Sequence, residues 1–191
     1  SNASEAVATL EASHGVIEND ILLITTSGWQ RLANRVVRAD SVSTNDVTLE
    51  DIDTSSTTYY PAGTGTGTVQ EVSAWTQISQ LTRDIQVSGG EQQFADVTTL
   101  SDVVDQEIPT RRSPYRVRLP IFFDASLSWV STVRAAADAQ AIRPVRFVYP
   151  NGNILYAAAY WSYQDFPTIE GETLRASVDM AIRGTPTIYS A

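Results

Sequence analysis

The chain has 191 residues, of which 42% are hydrophobic and 18% are charged, and its 22 acidic and 13 basic residues give a formal net charge of -9. This length allows one domain or two small ones, and the composition argues against both a disordered chain and a membrane protein. All 13 basic residues are arginine and there is no cysteine, which disfavours tight DNA binding and excludes disulfides, thiolate metal sites and thiol nucleophiles.

The first part of the chain is a series of short apolar runs separated by turn residues. Strands are predicted at residues 21–25, 34–42, 47–50 and 68–72, because each run is rich in β-branched residues and ends at a turn. Strands this short and this close together cannot form a wide sheet. The sequence therefore predicts a small closed β-barrel at residues 4–72.

Three alternating glycines lie in the loop at residues 60–68. A phosphate-binding loop would need a closing Gly-Lys-Ser/Thr, and a dinucleotide fingerprint would open a helix, and neither is present. The loop is therefore predicted to be a flexible turn that leads into a strand, since glycine relaxes the limits on the backbone.

The remainder of the chain, residues 73–191, starts with a polar sequence that contains turn residues. A strand with a clear alternating pattern follows. Residues 109–114 contain two prolines and are predicted as a break before the strand at residues 115–123. On that strand Val117, Leu119, Ile121 and Phe123 share one face. Its Pro120 favours an edge position or a strand end.

One amphipathic helix follows, and then a hairpin and a last strand. The helix is predicted to begin near Asp124 or Ser126, either of which can cap it, and to run for about four turns. Its apolar stripe is Leu127, Val130, Val133 and Ala137. Asn151-Gly152 predicts a hairpin with a two-residue turn. Residues 174–182 alternate between apolar and polar side chains, which predicts a strand with one buried face.

In its order of elements, the chain resembles the lambda-type phage tail tube family. The matching text is at residues 146–152, 160–162, 172–178 and 183–186. The first part resembles a small β-barrel module of phage tail proteins, and the residues that carry this resemblance are His14-Gly15, Asn19-Asp20 and residues 34–37, 47–52 and 60–63.

The resemblance implies a mainly β protein, with the small barrel at residues 4–72 and a β-sandwich or barrel domain with one flanking helix at residues 73–191. It implies a virion structural protein that forms stacked, hexameric rings and so a tube through which DNA passes. The implied partners are further copies and other tail proteins, without a membrane or a cofactor. The implied location is the virion tail, after synthesis in the bacterial cytoplasm.

The sequence carries no catalytic motif, so we expect no enzyme and no catalytic, cofactor or metal residues. The single histidine, His14, lies in a turn-like His-Gly and is interpreted as structural. Carboxylates cluster at residues 50–53 and 102–107, but neither cluster has the spacing of a calcium loop. Charges that serve solubility are the favoured interpretation, although paired catalytic acids, as in a glycan-degrading enzyme, stay open.

The one basic concentration is Arg111, Arg112, Arg116 and Arg118. A DNA contact is one hypothesis for it. The favoured one is a subunit interface, in which arginine pairs with carboxylates of a neighbour.

The four tryptophans are scattered along the sequence, which favours core and interface anchors. An exposed aromatic platform would instead support the alternative function, a carbohydrate- or host-surface-binding module of a tail or adhesin protein.

Overall fold

The structure is a computed structural model that describes residues 1–82, 85–101 and 103–190. The chain forms two compact units. Unit 1 consists of Ser1–Gln77, Gln140–Tyr160 and Arg183–Ala191, and unit 2 consists of Ile78–Ala139 and Trp161–Ile182. The protein is mainly β, with antiparallel sheets and one helix in the described part of the chain, which confirms the predicted fold class. The predicted boundary between residues 4–72 and 73–191 stays a prediction.

The strands and the helix follow one another along the chain with these bounds: β1 Val7–Thr9, β2 Ile21–Ser27, β3 Arg35–Ser43, β4 Asp46–Leu49, β5 Gly67–Glu71, β6 Gln86–Ser88, β7 Gln92–Asp96, β8 Glu107–Arg112, β9 Arg116–Phe122, α1 Ser128–Asp138, β10 Arg143–Val148, β11 Ile154–Tyr163, β12 Thr168–Glu170 and β13 Thr173–Tyr189. The long strands β11 and β13 each contribute residues to both units.

Unit 1 contains a five-stranded antiparallel sheet with the order β1-β4-β3-β2-β5. The four strands predicted in this region are confirmed as β2 to β5. β1 and β5 are at the two ends of the order and do not pair with each other, but side chains from both ends, Ala8 and Val69, pack on the same core, as in a partly open barrel. Loop side chains such as Trp29 and Tyr60 complete the core beside this sheet.

The glycine-rich loop at residues 60–68 is a packed part of this core. The indole Nε1 of Trp29 donates to the carbonyl oxygen of Pro61 at 2.9 Å and to the hydroxyl of Thr64 at 3.1 Å. A Cβ atom at Gly65 would lie 2.8 Å from the Trp29 ring. The prediction of a flexible turn therefore missed the reason for Gly65, which is the close approach of the backbone to an aromatic ring.

The predicted hairpin after β10 is confirmed, but its turn differs from the prediction. β10 and β11 pair with the register Val148↔Ile154, and the Gly152 N–H donates to the Tyr149 carbonyl at 3.0 Å. Only Gly152 has a positive φ, of 88°. Pro150 fixes a negative φ at the first central position, so the loop is a type I turn followed by a left-handed glycine rather than a two-residue turn.

A second buried cluster in unit 1 joins residues from opposite ends of the chain. Leu23 and Val36 of the five-stranded sheet pack with Tyr156, Ala158 and Tyr189. β2 and β3 are therefore covered on both faces, which explains why their sequences contain continuous runs of apolar residues. Through this cluster, the end of β13 packs against the five-stranded sheet and stabilises it.

The hydroxyl of Tyr189 anchors this cluster. It donates to the carbonyl oxygen of Glu50 at 3.2 Å and accepts the backbone N–H of Arg38 at 3.0 Å. The Arg38 guanidinium forms a bidentate ion pair with the Glu50 carboxylate and lies 4.7 Å from the centre of the Tyr189 ring. Burial raises the pKa of Tyr189 to about 12.

Unit 2 is organised by β9, which pairs with β13 on one side and with β6 on the other. Val117, Leu119 and Ile121 are buried, as the alternation predicted. The Pro120 carbonyl accepts from the Thr82 N–H on the side away from β13. Proline is tolerated there because its missing N–H faces the side where regular pairing with β6 has ended.

The helix α1 is shorter than predicted and begins later. It spans Ser128–Asp138, its N-cap is Leu127, and no side chain caps it. Asp124 instead accepts the N–H and the hydroxyl of Ser126 and so forms a local turn before the helix. That local turn competes with capping for the same carboxylate. The buried stripe of the helix is Trp129, Val130, Val133 and Ala136, so Leu127 and Ala137 are only half-buried.

Candidate assembly surface

Unit 2 carries an exposed two-stranded ribbon, named here the β7–β8 arm (residues 92–112). β7 pairs with β8 in a sheet of two strands, and no further strand adds to it within the described residues. β8 lies where the sequence predicted a break because of Pro109. Proline is acceptable in β8 because both strands of a ribbon have a free edge. Residues 92–96, Gln-Gln-Phe-Ala-Asp, do not alternate between polar and apolar side chains, so the local sequence contains little signal for the arm.

Apolar side chains are exposed along the arm and at its tip. Phe94 is 57% exposed and Ile108 is 51% exposed, and at the tip Leu100 and Val103 are fully exposed and Val104 is 69% exposed. An isolated two-stranded hairpin is only marginally stable in water, and exposed apolar groups of this kind mark interaction surfaces. The arm therefore has the properties of a segment that packs on another molecule.

The outer half of the arm also carries two carboxylates in direct opposition. Asp96 is the cross-strand partner of Glu107. Hydrogen bonds from the hydroxyl and the N–H of Thr98 hold the pKa of Asp96 below its ordinary value. Asp105 is exposed nearby, whereas Asp102, predicted in the same cluster, lies outside the described residues. Like charges placed directly opposite destabilise a strand pair.

The four arginines predicted as a subunit interface lie in unit 2 at the inner end of the arm. Arg111 and Arg112 end β8, and Arg116 and Arg118 point away from the buried face of β9. The Nε of Arg112 donates to the Gln92 side-chain oxygen at 3.4 Å, and the Nε of Arg118 is 3.7 Å from an Asp179 oxygen. Arg111 and Arg116 have no polar partner among the described residues. The role of the four as an interface stays a prediction.

The other titratable residues named in the sequence analysis make hydrogen bonds or ion pairs that hold the local structure. The His14 Nδ1 accepts the Val16 N–H at 3.0 Å, so its Nε2 is the donor to the Thr44 carbonyl at 3.1 Å. Glu50 is paired with Arg38, and Asp53 accepts the Ser55 N–H at 2.8 Å. These contacts fix loops of unit 1.

The described part of the chain contains no group of three or more residues that could hold a metal ion. None of its helices has the length and apolar character that crossing a membrane requires.

The tryptophans are packed into the two units. Trp29 and Trp129 are buried, and Trp75 and Trp161 are half-buried. Trp129 meets Tyr163 edge to face with ring centres 6.5 Å apart, and Trp75 is 5.8 Å from Tyr156. They are core residues for the most part, as predicted.

Comparison with known proteins identifies the family of this chain. No curated protein matches the chain. A solved structure, "Virion of native gene transfer agent (GTA) particle", contains a chain that is 14% identical, with a TM-score of 0.47, and the match covers 60% of this chain and 88% of that chain. The sequence pattern of the family "Phage tail tube protein, TTP" matches residues 27–191. This match spans far more than half of the sequence and confirms the predicted resemblance, so the chain belongs to the phage tail tube protein family and is a virion structural protein.

Proposed function

We propose that copies of this chain assemble into stacked rings, six subunits to a ring, which form the tube of a virion tail. The observation that carries the proposal is the β7–β8 arm, which exposes apolar side chains at its tip. In this proposal the tube also contacts other tail proteins and conducts DNA from the virion.

The arm supports assembly with identical copies because it can bind a surface of the next copy that differs from the arm itself. A projecting segment that fits a different surface of the next copy makes a heterologous contact, and such contacts give closed rings or growing filaments. Burial of the tip side chains would also remove apolar area from water, which favours association. Rings and their stacking both need contacts of this kind.

The charge of the chain supports the passage of DNA through the tube. The net charge is -9 and no lysine is present. Retention of a DNA backbone requires cationic side chains that displace its counterions. An acidic tube would therefore let DNA pass without holding it.

The first test is the solution mass across a concentration series, followed by negative-stain microscopy of the most concentrated sample. We expect a rise in mass with concentration and annular particles or tubes with a central hole. A chain that remains monomeric at every concentration, and also when tail particles are supplied as initiators, would contradict the proposal.

A variant tests the arm directly. Replacement of Leu100, Val103 and Val104 by serine removes the apolar tip and should raise the concentration of half-assembly by about tenfold or more. The matched control replaces Ile17 and Ile188, which are 66% and 57% exposed outside the arm, and should assemble as the wild type does. Equal loss of assembly in both variants would show that the arm has no special role.

A further inference from the structure

We infer that the acidic outer half of the β7–β8 arm docks on the arginine group of a second copy, with Asp96 and Glu107 as the acceptors of its guanidinium groups. The inference rests on the proposed self-assembly and names the surface that each arm occupies. The arginine group consists of Arg111, Arg112, Arg116 and Arg118.

The first observation is the opposition of Asp96 and Glu107. Side chains of directly opposite residues in an antiparallel pair lie on the same face, with Cβ atoms about 5 Å apart. Two carboxylates are therefore held side by side on an exposed ribbon. Two hydrogen bonds from Thr98 fix Asp96 in its ionised form. A cation placed over the pair would remove their repulsion, and a planar guanidinium fits two carboxylate oxygens at once.

The second observation is that the described part of the chain places no such cation beside the two carboxylates. None of the described arginines forms an ion pair, with nitrogen and oxygen within 4.0 Å, with Asp96, Asp105 or Glu107. Arg111 is on the same strand as Glu107, but four residues of extended chain separate them by about 13 Å. This separation exceeds the reach of an arginine side chain along the strand, so Arg111 does not pair with Glu107 of its own chain.

The third observation is that three of the four arginines have no carboxylate partner among the described residues, whereas Arg118 lies 3.7 Å from Asp179. Arg111 and Arg116 have no polar partner among the described residues, and Arg112 contacts only a neutral amide. These guanidinium groups are exposed on the same unit that carries the arm. Exposed guanidinium groups without carboxylate partners attract a carboxylate pair, and in a homo-oligomer every copy supplies both halves.

Apolar side chains beside the carboxylates strengthen the fit. Phe94 lies two residues before Asp96 and therefore on the same face of β7. It is exposed, and its burial would exclude water from the contact. Charge pairs that are partly shielded from water attract more strongly than fully solvated ones. The contact is heterologous, so it can repeat from copy to copy.

Charge reversal and mixing test the inference. The tip variant carries Asp105→Arg and Glu107→Arg and keeps Asp96 for its local turn, and the base variant carries Arg111→Glu and Arg116→Glu. Matched controls reverse exposed charges elsewhere, at Glu172 and at Arg143. Circular dichroism and thermal unfolding check that each variant folds, and analytical ultracentrifugation with negative-stain microscopy measures assembly.

We expect the tip variant and the base variant each to need a concentration about a hundredfold higher than the wild type to assemble, and both controls to behave as the wild type. An equal mixture of the two variants should recover assembly, because the reversed tip fits the reversed base. Assembly of either variant at the wild-type concentration, or a mixture that stays unassembled, would overturn the inference while leaving the proposed function intact. Failure of the wild type itself to assemble would overturn the proposed function, and the inference with it.

Discussion

The hydroxyl of Tyr189 gives a prediction whose size follows from the structure. Replacement of Tyr189 by phenylalanine keeps the buried ring and removes one donor and one acceptor. The N–H of Arg38 then loses its partner in a partly buried region, and the carbonyl of Glu50 loses the Tyr189 hydroxyl as a donor. A buried donor without a partner costs about 1–3 kcal/mol. We expect Tyr189→Phe to lower the free energy of unfolding by about 2 kcal/mol at pH 7.

The same residue predicts a pH dependence. Burial raises the pKa of Tyr189 to about 12, whereas a tyrosine in an unfolded chain titrates near 10. The folded state therefore favours the neutral phenol. Its contribution is fully present below about pH 10 and is lost as the pH rises towards 12, with a total of at most about 3 kcal/mol.

Urea unfolding monitored by tryptophan fluorescence, at pH 7 and at steps between pH 9 and 12, measures both effects. The phenylalanine variant should lose less stability between pH 10 and 12 than the wild type does. The control is Tyr149→Phe, since Tyr149 is exposed at the hairpin turn and should behave as the wild type. Equal alkaline losses in the wild type and in Tyr189→Phe would refute the reasoning from burial.

Three further predictions concern packing, domain organisation and salt. Gly65→Ala should destabilise the protein by about 1–3 kcal/mol in thermal unfolding, because its Cβ would lie 2.8 Å from the Trp29 ring, and an unchanged melting temperature would contradict the packed loop. A fragment of residues 73–191 should bind a hydrophobic dye strongly, since it lacks the Leu23 and Val36 that cover Tyr156 and Tyr189; weak dye binding would instead support an independent domain. Assembly through the arm should weaken between about 0.1 and 1 M salt, over which the Debye length falls from about 10 to about 3 Å, and light scattering that does not change with salt would count against a charged contact.

The parts of the fold that the sequence predicts well are those with strong local patterns. The alternation of Val117, Leu119 and Ile121 marks a strand with one buried face, and the structure confirms it. The hairpin at residues 149–153 was also predictable, but Asn151-Gly152 alone suggested the wrong turn. Pro150 decides the turn type, because its ring fixes its own φ at a negative value at the first central position of the turn.

Elements that depend on tertiary contacts were predicted less well. β13 continues to Tyr189, although Gly184 and Pro186 suggest an end of the strand. Gly184 has φ 68°, and a Cβ there would lie 2.3 Å from the Asn34 carbonyl oxygen. A contact so distant in sequence leaves no local pattern, so the continuation could not be seen.

Part of the candidate assembly surface could be predicted from the sequence. Four arginines in eight residues were visible as a group in the sequence, whereas β8 was hidden by Pro109. The opposition of Asp96 and Glu107 depends on the register of the ribbon, and a register shift between Gln92 and Phe94 makes that register hard to predict.

The position of Tyr189 has a consequence for the order of events during synthesis. Unit 1 needs Tyr189 for its second buried cluster, and this residue lies far beyond Glu71, where the last strand of the five-stranded sheet ends. Chains emerge from the ribosome N-terminal end first, so the five-stranded sheet appears long before the residue that covers its second face. The sheet of a growing chain therefore lacks this cover until β13 has been synthesised. Because Tyr189 follows all of unit 2 in the sequence, unit 1 gains its finished core only after unit 2 has been synthesised.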